Sequence, residues 1–462
     1  HSSFTDRSDQ LRSPPMNRNL SLTTDPIPLL TWQIALPMSI GMFFHTMFNV
    51  VDTFCARWLG TDAQAALSLS FPVFFILISI GSGISQGATA LLANALGADD
   101  EKDARLVFGQ SLFFVIAAGI VLSILGFVTS PWLYRQLGAE GAYLEISLAY
   151  MNVILAGGTF LLLPMVLNSA LSSAGNTLPY RNFLIAGFLA NLALNPLFIW
   201  GFLGIPGMGV GGIALATVII QVGGAAYLWK HVRQNETYAG ITWSDLKPDR
   251  AVLLRIAGQA VPAALNMLTI AVGIFVITWF VKHFGKEAVA ASGISVRIEQ
   301  IVLMPAIGLN AAVMSIVGQN FGAGKLDRVR EAWLTNVKYG AGMMIIGGLI
   351  IWLAREPAMR IFSDDPIVIS HGSDYLVAAS LTLAAYPILF VTVFALQGIK
   401  KPAYGLWIGL YRQLVAPVVV FHTLAFTLAW GLWGVWWGIC FVTWSAALFA
   451  LFLGLKKFKI PD

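Results

Sequence analysis

Charged side chains are what this chain has least of. Asp, Glu, Lys and Arg make up 11% of its 462 residues, against roughly 25% in ordinary soluble domains, while hydrophobic residues reach 57%. That balance excludes a water-soluble domain and indicates a membrane protein. Cysteine is almost missing. Cys55 and Cys440 are the only two, and both fall within or beside apolar runs, so they read as small core residues and not as a disulfide. No HExxH, GxSxG or paired intramembrane aspartates occur, which leaves a membrane-embedded enzyme without support. A Walker A motif is absent as well, so the chain does not hydrolyse ATP by itself. The apolar runs do not alternate at period two, which excludes a transmembrane β-barrel.

What is there is length without charge. A helix needs about 20 apolar residues to cross a bilayer, and such runs lie near 28–56, 64–95, 106–128, 141–172, 178–201, 210–232, 252–281, 288–318, 329–353, 367–397, 403–427 and 431–455. They predict an all-α polytopic protein of twelve spans. Several runs exceed the minimum, and Pro26, Pro28, Pro37, Pro262, Pro305 and Pro387 offer bend points. The net charge of +5 comes from loop Lys and Arg and points to no nucleic acid. With the N-terminus inside, 19 of the 28 Lys and Arg fall on the cytoplasmic side and 6 on the other. This bias predicts a multi-pass protein of the cell (inner or plasma) membrane with both termini cytoplasmic. Residues 1–15, polar and ahead of Met16, read as sequence added before the native start. No cleavable signal pattern is present.

The chain repeats itself at a spacing of 225 residues. Pro37 matches Pro262, Gly60 matches Gly285, Gly83 matches Gly308, Gly97-Ala98 matches Gly322-Ala323, Arg105 matches Arg330, and Gly209-Val210 matches Gly434-Val435. The organisation expected is a tail over 1–25, an N-lobe of six spans over 26–232, a polar cytoplasmic linker over 233–250, and a C-lobe of six spans over 251–462. An even number of spans gives both copies one topology, related by an axis along the membrane normal, with a cleft between lobes. Transporters commonly bind cargo at such an interface and rock one half against the other.

Within this pattern Asp52 stands out. A carboxylate in hydrocarbon costs at least ~2.5 kcal/mol, so it persists where it faces a cavity or a partner. Leu36-Pro37, Val51-Asp52-Thr53, the Gly97-Ala98 loop with Asp103 and Arg105, and Gln319-Asn320-Phe321-Gly322-Ala323 in the second copy resemble multidrug and toxic compound extrusion (MATE) transporters. The resemblance covers nearly the whole chain after residue 25. It implies two six-helix bundles around a V-shaped cleft and outward pumping of organic cations and other amphipathic drugs, driven by inward H+ or Na+. It also implies that Asp52 is a principal coupling residue and that Asn191 and Asn195 on the fifth span line the same pocket. One branch of the family reads Asn-x-x-x-Asp-Pro on that span, where this chain has Asn195 and Pro196. Another carries a glutamate in the seventh span, which here reads Asn266-Met267-Leu268-Thr269-Ile270. Both departures weaken sodium coupling.

Helical spacing groups the candidates. His45, Asn49 and Asp52 are i, i+4, i+7 and share a face, and Asn191 and Asn195 are i, i+4, with Pro196 freeing a backbone carbonyl. The bland readings are a packing histidine for His45 and interhelical glue for the asparagines, a role typically worth about 0.6 kcal/mol. The repeat position of Asp52 is Ile277, so the acid belongs to one lobe only. The second lobe holds Arg297, Glu299 and Arg412. Arg297 and Glu299 are i, i+2 and cannot face each other, which leaves Arg412 as the expected partner of Glu299, either in a structural ion pair or in a substrate site. Trp430, Trp433, Trp436, Trp437 and Trp444 read as interfacial anchors.

A single evident acid favours H+ over Na+, though Asp52, Asn191, Asn195 and a freed carbonyl could supply Na+ with oxygen ligands. No cofactor is expected beyond the ion gradient. The expected partners are the lipid bilayer, cationic or amphipathic drugs and H+ or Na+, with the chain acting as a monomer. The alternative from the wider group of exporters is a flippase for lipid-linked oligosaccharide, which needs a strongly basic cleft. Only Arg297 and Arg412 suit it.

Overall fold

The computed structural model of the protein describes residues 21–202 and 204–459. The segment read as added sequence, 1–15, lies outside them. The helices are α1 Ile27–Ala56, α2 Thr61–Gly97, α3 Glu101–Gln136, α4 Gly141–Ala156, α5 Gly158–Ser173, α6 Leu178–Trp200, α7 Val210–Val232, α8 Glu236–Ala239, α9 Arg250–Val281, α10 Lys286–Gly322, α11 Leu326–Arg360, α12 Pro366–Thr382, α13 Ala385–Gly398, α14 Ala403–Leu410, α15 Ala416–Phe421 and α16 Leu432–Lys457. The strands among the described residues are a two-residue pair, Gly201–Phe202 with Ile205–Pro206.

Among the described residues ten helices are long and apolar enough to cross a membrane alone, and two bent pairs, each counted as one span, bring the number to twelve. The fourth span is α4 and α5, bent by 47°, and the tenth is α12 and α13, bent by 50°. The eleventh runs through α14, a π-helical turn at Tyr411–Val415, α15 and a second π-helical turn at His422–Thr427. Two proline expectations need correction: Pro26 caps α1 and Pro28 lies in its first turn, so neither bends it, and α1 runs unbroken past Pro37. Both positions precede the first complete helical turn, where proline costs no hydrogen bond. Pro387 does sit in the first turn of α13, beside the tenth-span bend.

Local chemistry sets the boundaries. Asp100 caps α3 through Asp103 N at 2.9 Å, and Asp249 caps α9 through Ala251 N at 2.8 Å. These side chains take up amides that the first turn cannot satisfy. At the opposite ends of α1 and α9, Gly60 and Gly285 have φ of +95° and +100°, a region that L side chains avoid. They are repeat partners, and each turns the chain into the next long helix.

The halves meet along a twofold seam built from repeat-related pairs. A methyl on Gly83 would come within 2.7 Å of Ala260 O, and one on Gly308 would collide with Ala35 O. Near the far ends of the same helices, Gly97 lies against Gln319 O and Gly322 against Asn94 O. Small residues let these backbones touch, which is how helices gain packing energy in lipid. Two hydrogen bonds repeat the symmetry: Asn94 Nδ2 donates to Gly398 O, and Gln319 Nε2 to Ser173 O, both at 2.7 Å. The seam therefore clasps the end of the molecule that carries the 98–100 and 323–325 loops.

At that clasped end the halves also exchange material. Ile27, Leu30 and Ile34 of α1 pack with Leu309, Val313 and Trp333 of the second half, while Val252, Ile256 and Ala260 of α9 pack with Leu92, Phe108 and Val166 of the first. The segment between halves is fastened by one buried side chain. Gln110 Nε2 donates to Asp245 O at 2.7 Å and Lys247 O at 2.6 Å, and Gln110 Oε1 accepts from Asp249 N at 2.9 Å. Tyr238 of α8 is fully buried with its hydroxyl 3.4 Å from Ser173 Oγ, and burial pushes its phenol well up.

Candidate functional site

The halves of α1 and α2 nearer Gly60 line a cavity of ≈ 650 Å³, within the usual range of about 300–1,000 Å³ for a drug-sized ligand. His45, Asn49 and Asp52 all face it, as their helical spacing predicts. Asn49 Nδ2 donates back to His45 O at 2.8 Å, a bond that leaves its oxygen free on the cavity side of the helix.

Asp52 is only 7% exposed, and α6 brings both asparagines to it. Asn191 Nδ2 and Asn195 Nδ2 each donate to Asp52 Oδ1 at 2.8 Å, and Asn195 Nδ2 also reaches Asn191 Oδ1 at 3.2 Å. Both amides are fully buried. One-turn spacing on α6 is what permits two amides to converge on a single oxygen. Both amide bonds fall on Oδ1, and the Thr217 hydroxyl of α7 is a third polar neighbour of the carboxylate. Asn195 Oδ1 is buried and has no hydrogen-bond partner. Such an orphaned acceptor is uncommon and marks a place where a protonated acid or a cation gains a ligand. Among the described residues there is no cluster of three His, Cys, Asp or Glu that could hold a metal.

Several lining residues were not singled out from the sequence. Thr217 and Gln221 of α7 and Gln64 and Ser68 of α2 are i, i+4 pairs facing the cavity. The same stripe argument that found His45 and Asn49 would have found them. Tyr150 lines the cavity too, and its repeat partner is Tyr375.

In the second half, Glu299 is buried at 4% exposure and accepts from Tyr375 Oη through Oε2 at 2.6 Å, while Oε1 has no partner. The expected pairing of Glu299 with Arg412 is not formed. Arg412, on the π-helical turn, instead places its guanidinium over Tyr386 at 5.1 Å and Phe390 at 5.5 Å, where ring faces attract it. The extra residue in a π turn rotates the side chain away from the direction an α-helix would give. Arg297 faces the first-half cavity while Glu299 turns into the second half, as i, i+2 spacing requires. Ile277, the repeat position of Asp52, packs on the second-half core. The tryptophan reading needs one correction: Trp436 is 1% exposed and meets Tyr375 edge-on, a core position. Trp430 and Trp433 stay 48% and 42% exposed.

Comparison with known proteins gives the same duplication. The family model MatE matches twice, over residues 37–197 and 262–421. The Bacillus subtilis (strain 168) protein named "Probable multidrug resistance protein YoeA" is 29% identical over 76% of this chain and 83% of its own. A protein of Shewanella oneidensis named "FAD transporter" is 30% identical over 85% of this chain and 87% of its own. A solved structure described as the outward-facing conformation of a multidrug resistance MATE family transporter superposes with a TM-score of 0.89 at 25% identity, covering 96% of this chain and 98% of that one. With twelve spans, a duplicated six-span unit and matches in both halves, this chain belongs to the MATE family and is a multi-pass membrane transporter of the multidrug efflux type, not an enzyme.

Proposed function

We propose that this protein exports amphipathic aromatic compounds in exchange for H+, with Asp52 carrying the proton. The observation that supports this most is the Asp52 carboxylate in the cavity wall, with Oδ1 held by two buried amides and Thr217 beside it. Desolvation favours the neutral form of any carboxylic acid, and hydrogen bonds to the anion favour the charged form. An acid between these influences can load and release a proton as its surroundings change. Both asparagines turn N–H toward the carboxylate, whereas a Na+ site would use their carbonyl oxygens. That donor set favours H+.

With the Lys and Arg bias placing the termini in the cytoplasm, the clasped end is cytoplasmic and the cavity opens outward. Protonation of Asp52 from outside then loosens its hold on α6 and lets the cargo leave, and opening of the clasp exposes the cavity to the inside. One elementary charge crossing 100 mV is worth about 2.3 kcal/mol, which for an uncharged cargo sustains roughly a 40-fold gradient. A complete cavity lies within one chain, so a monomer suffices. The flippase reading loses ground because Arg412 is stacked inside the second half and Arg297 is left as the cleft's lone guanidinium.

The test is efflux of a fluorescent amphipath from vesicles with an imposed H+ or Na+ gradient. The expected result is export driven by the pH gradient and indifferent to Na+. Export that follows Na+ alone would overturn the proton reading and recast Asn195 Oδ1 as an ion ligand.

A further inference from the structure

The cargo cavity holds one acid and one guanidinium, and they are placed very differently. Asp52 is buried and already occupied by two amide donors. Arg297 reaches the cavity from α10 of the other half and is exposed, with no hydrogen bond or ion pair among the described residues. Its neighbour Glu299 does not neutralise it, because that carboxylate turns into the second half and is taken by Tyr375. The rest of the wall mixes polar side chains with an aromatic group, Phe48, Phe71, Phe74, Phe75, Phe183 and Tyr150.

A free guanidinium in a mostly apolar, drug-sized cavity is an unmet demand for an anion. Its planar fork suits a carboxylate or phosphate bidentately, and phenylalanine faces suit a ring system. A cation entering the same space meets like charge at Arg297, and the only acid is at the back of the wall. We infer that Arg297 selects cargo, and that the preferred class is an aromatic compound bearing a carboxylate or phosphate instead of an organic cation.

The inference rests on the export reading above and narrows its substrate class. It has an electrical consequence. Expelling a monoanion in exchange for one H+ moves two positive charges inward per cycle, whereas exchanging a monocation for H+ moves none, so anion export responds to membrane potential.

The test uses xanthene dyes with one ring core and different charge, fluorescein as the anion and rhodamine 6G as the cation, binding to the purified full-length protein by fluorescence anisotropy. The native protein should bind fluorescein more tightly than rhodamine 6G. Arg297→Gln should weaken fluorescein by about ten- to hundredfold, as expected for a hydrogen-bonded charge, with rhodamine 6G unchanged or improved. Arg297→Lys should recover part of the loss, and Arg297→Glu should invert the preference. Tighter native binding of the cation, or fluorescein affinity in Arg297→Gln within twofold of native, overturns the inference. Since binding is measured without a gradient, these outcomes are independent of whether H+ drives transport, which the vesicle experiment decides separately.

Discussion

Opening the clasped end means breaking the symmetric clasp, and its strength can be worked out bond by bond. Asn94→Ala removes the donor to Gly398 O, and Gln319→Ala removes the donor to Ser173 O. A net hydrogen bond of this kind contributes about 1 kcal/mol. Each single variant should therefore raise the open population about fivefold, and the double variant, losing about 2 kcal/mol, about 30-fold. Ala93 supplies the probe. It is fully buried, and a methyl on Gly318 across the seam would come within 2.7 Å of its Cβ. In an Ala93→Cys background the alkylation rate by a water-soluble maleimide tracks the open fraction while reclosing is faster than modification. Cys55 and Cys440 are buried and give a low background. The reasoning predicts rates rising about fivefold, fivefold and 30-fold in that order. Rates within twofold of the parent for the double variant would refute the assignment of the clasp as the seal of this end.

Two further variants probe other joints. Gln110→Leu removes its three bonds to the segment between the halves, about 3 kcal/mol of local tethering, so trypsin should cut after Arg250 several times faster, the bond after Lys247 being protected by Pro248, and an unchanged digestion time course would count against the tether. Tyr375→Phe removes the 2.6 Å donor to buried Glu299, a loss of about 1–3 kcal/mol that should lower the melting temperature in detergent. Adding Glu299→Leu should restore much of it, because removing both partners costs less than orphaning one. Additive destabilisation in the double variant would speak against that pairing.

Much of this architecture is legible before any coordinates. Hydropathy alone marks the twelve spans, since continuous apolar runs are unambiguous in lipid, and the 225-residue spacing predicts that Gly83 and Gly308 share a role. The convergence on Asp52 is anticipated through the resemblance to MATE transporters, which implies that Asn191 and Asn195 line its pocket, whereas their one-turn spacing by itself places them only on a common face. What escapes is set by geometry that periodicity does not encode. Arg412 misses Glu299 because a π turn shifts its direction, and no sequence pattern marks that turn. Trp436 enters the core, while Trp430 and Trp433 stay exposed and Trp437 and Trp444 half-buried, because Tyr375 offers it an edge contact. The exchange of α1 and α9 between halves is invisible to a linear division of the chain into lobes, as it depends on how the two copies cross.

The account stands or falls on whether cargo and proton compete through Asp52. Purified protein in weakly buffered acidic solution with a pH indicator, mixed with a saturating uncharged amphipath so that cargo charge does not bias the acid, should release up to one proton per chain, and Asp52→Asn should bind the amphipath and release none. Cargo binding without proton release in the native protein, or equal release by Asp52→Asn, would contradict it.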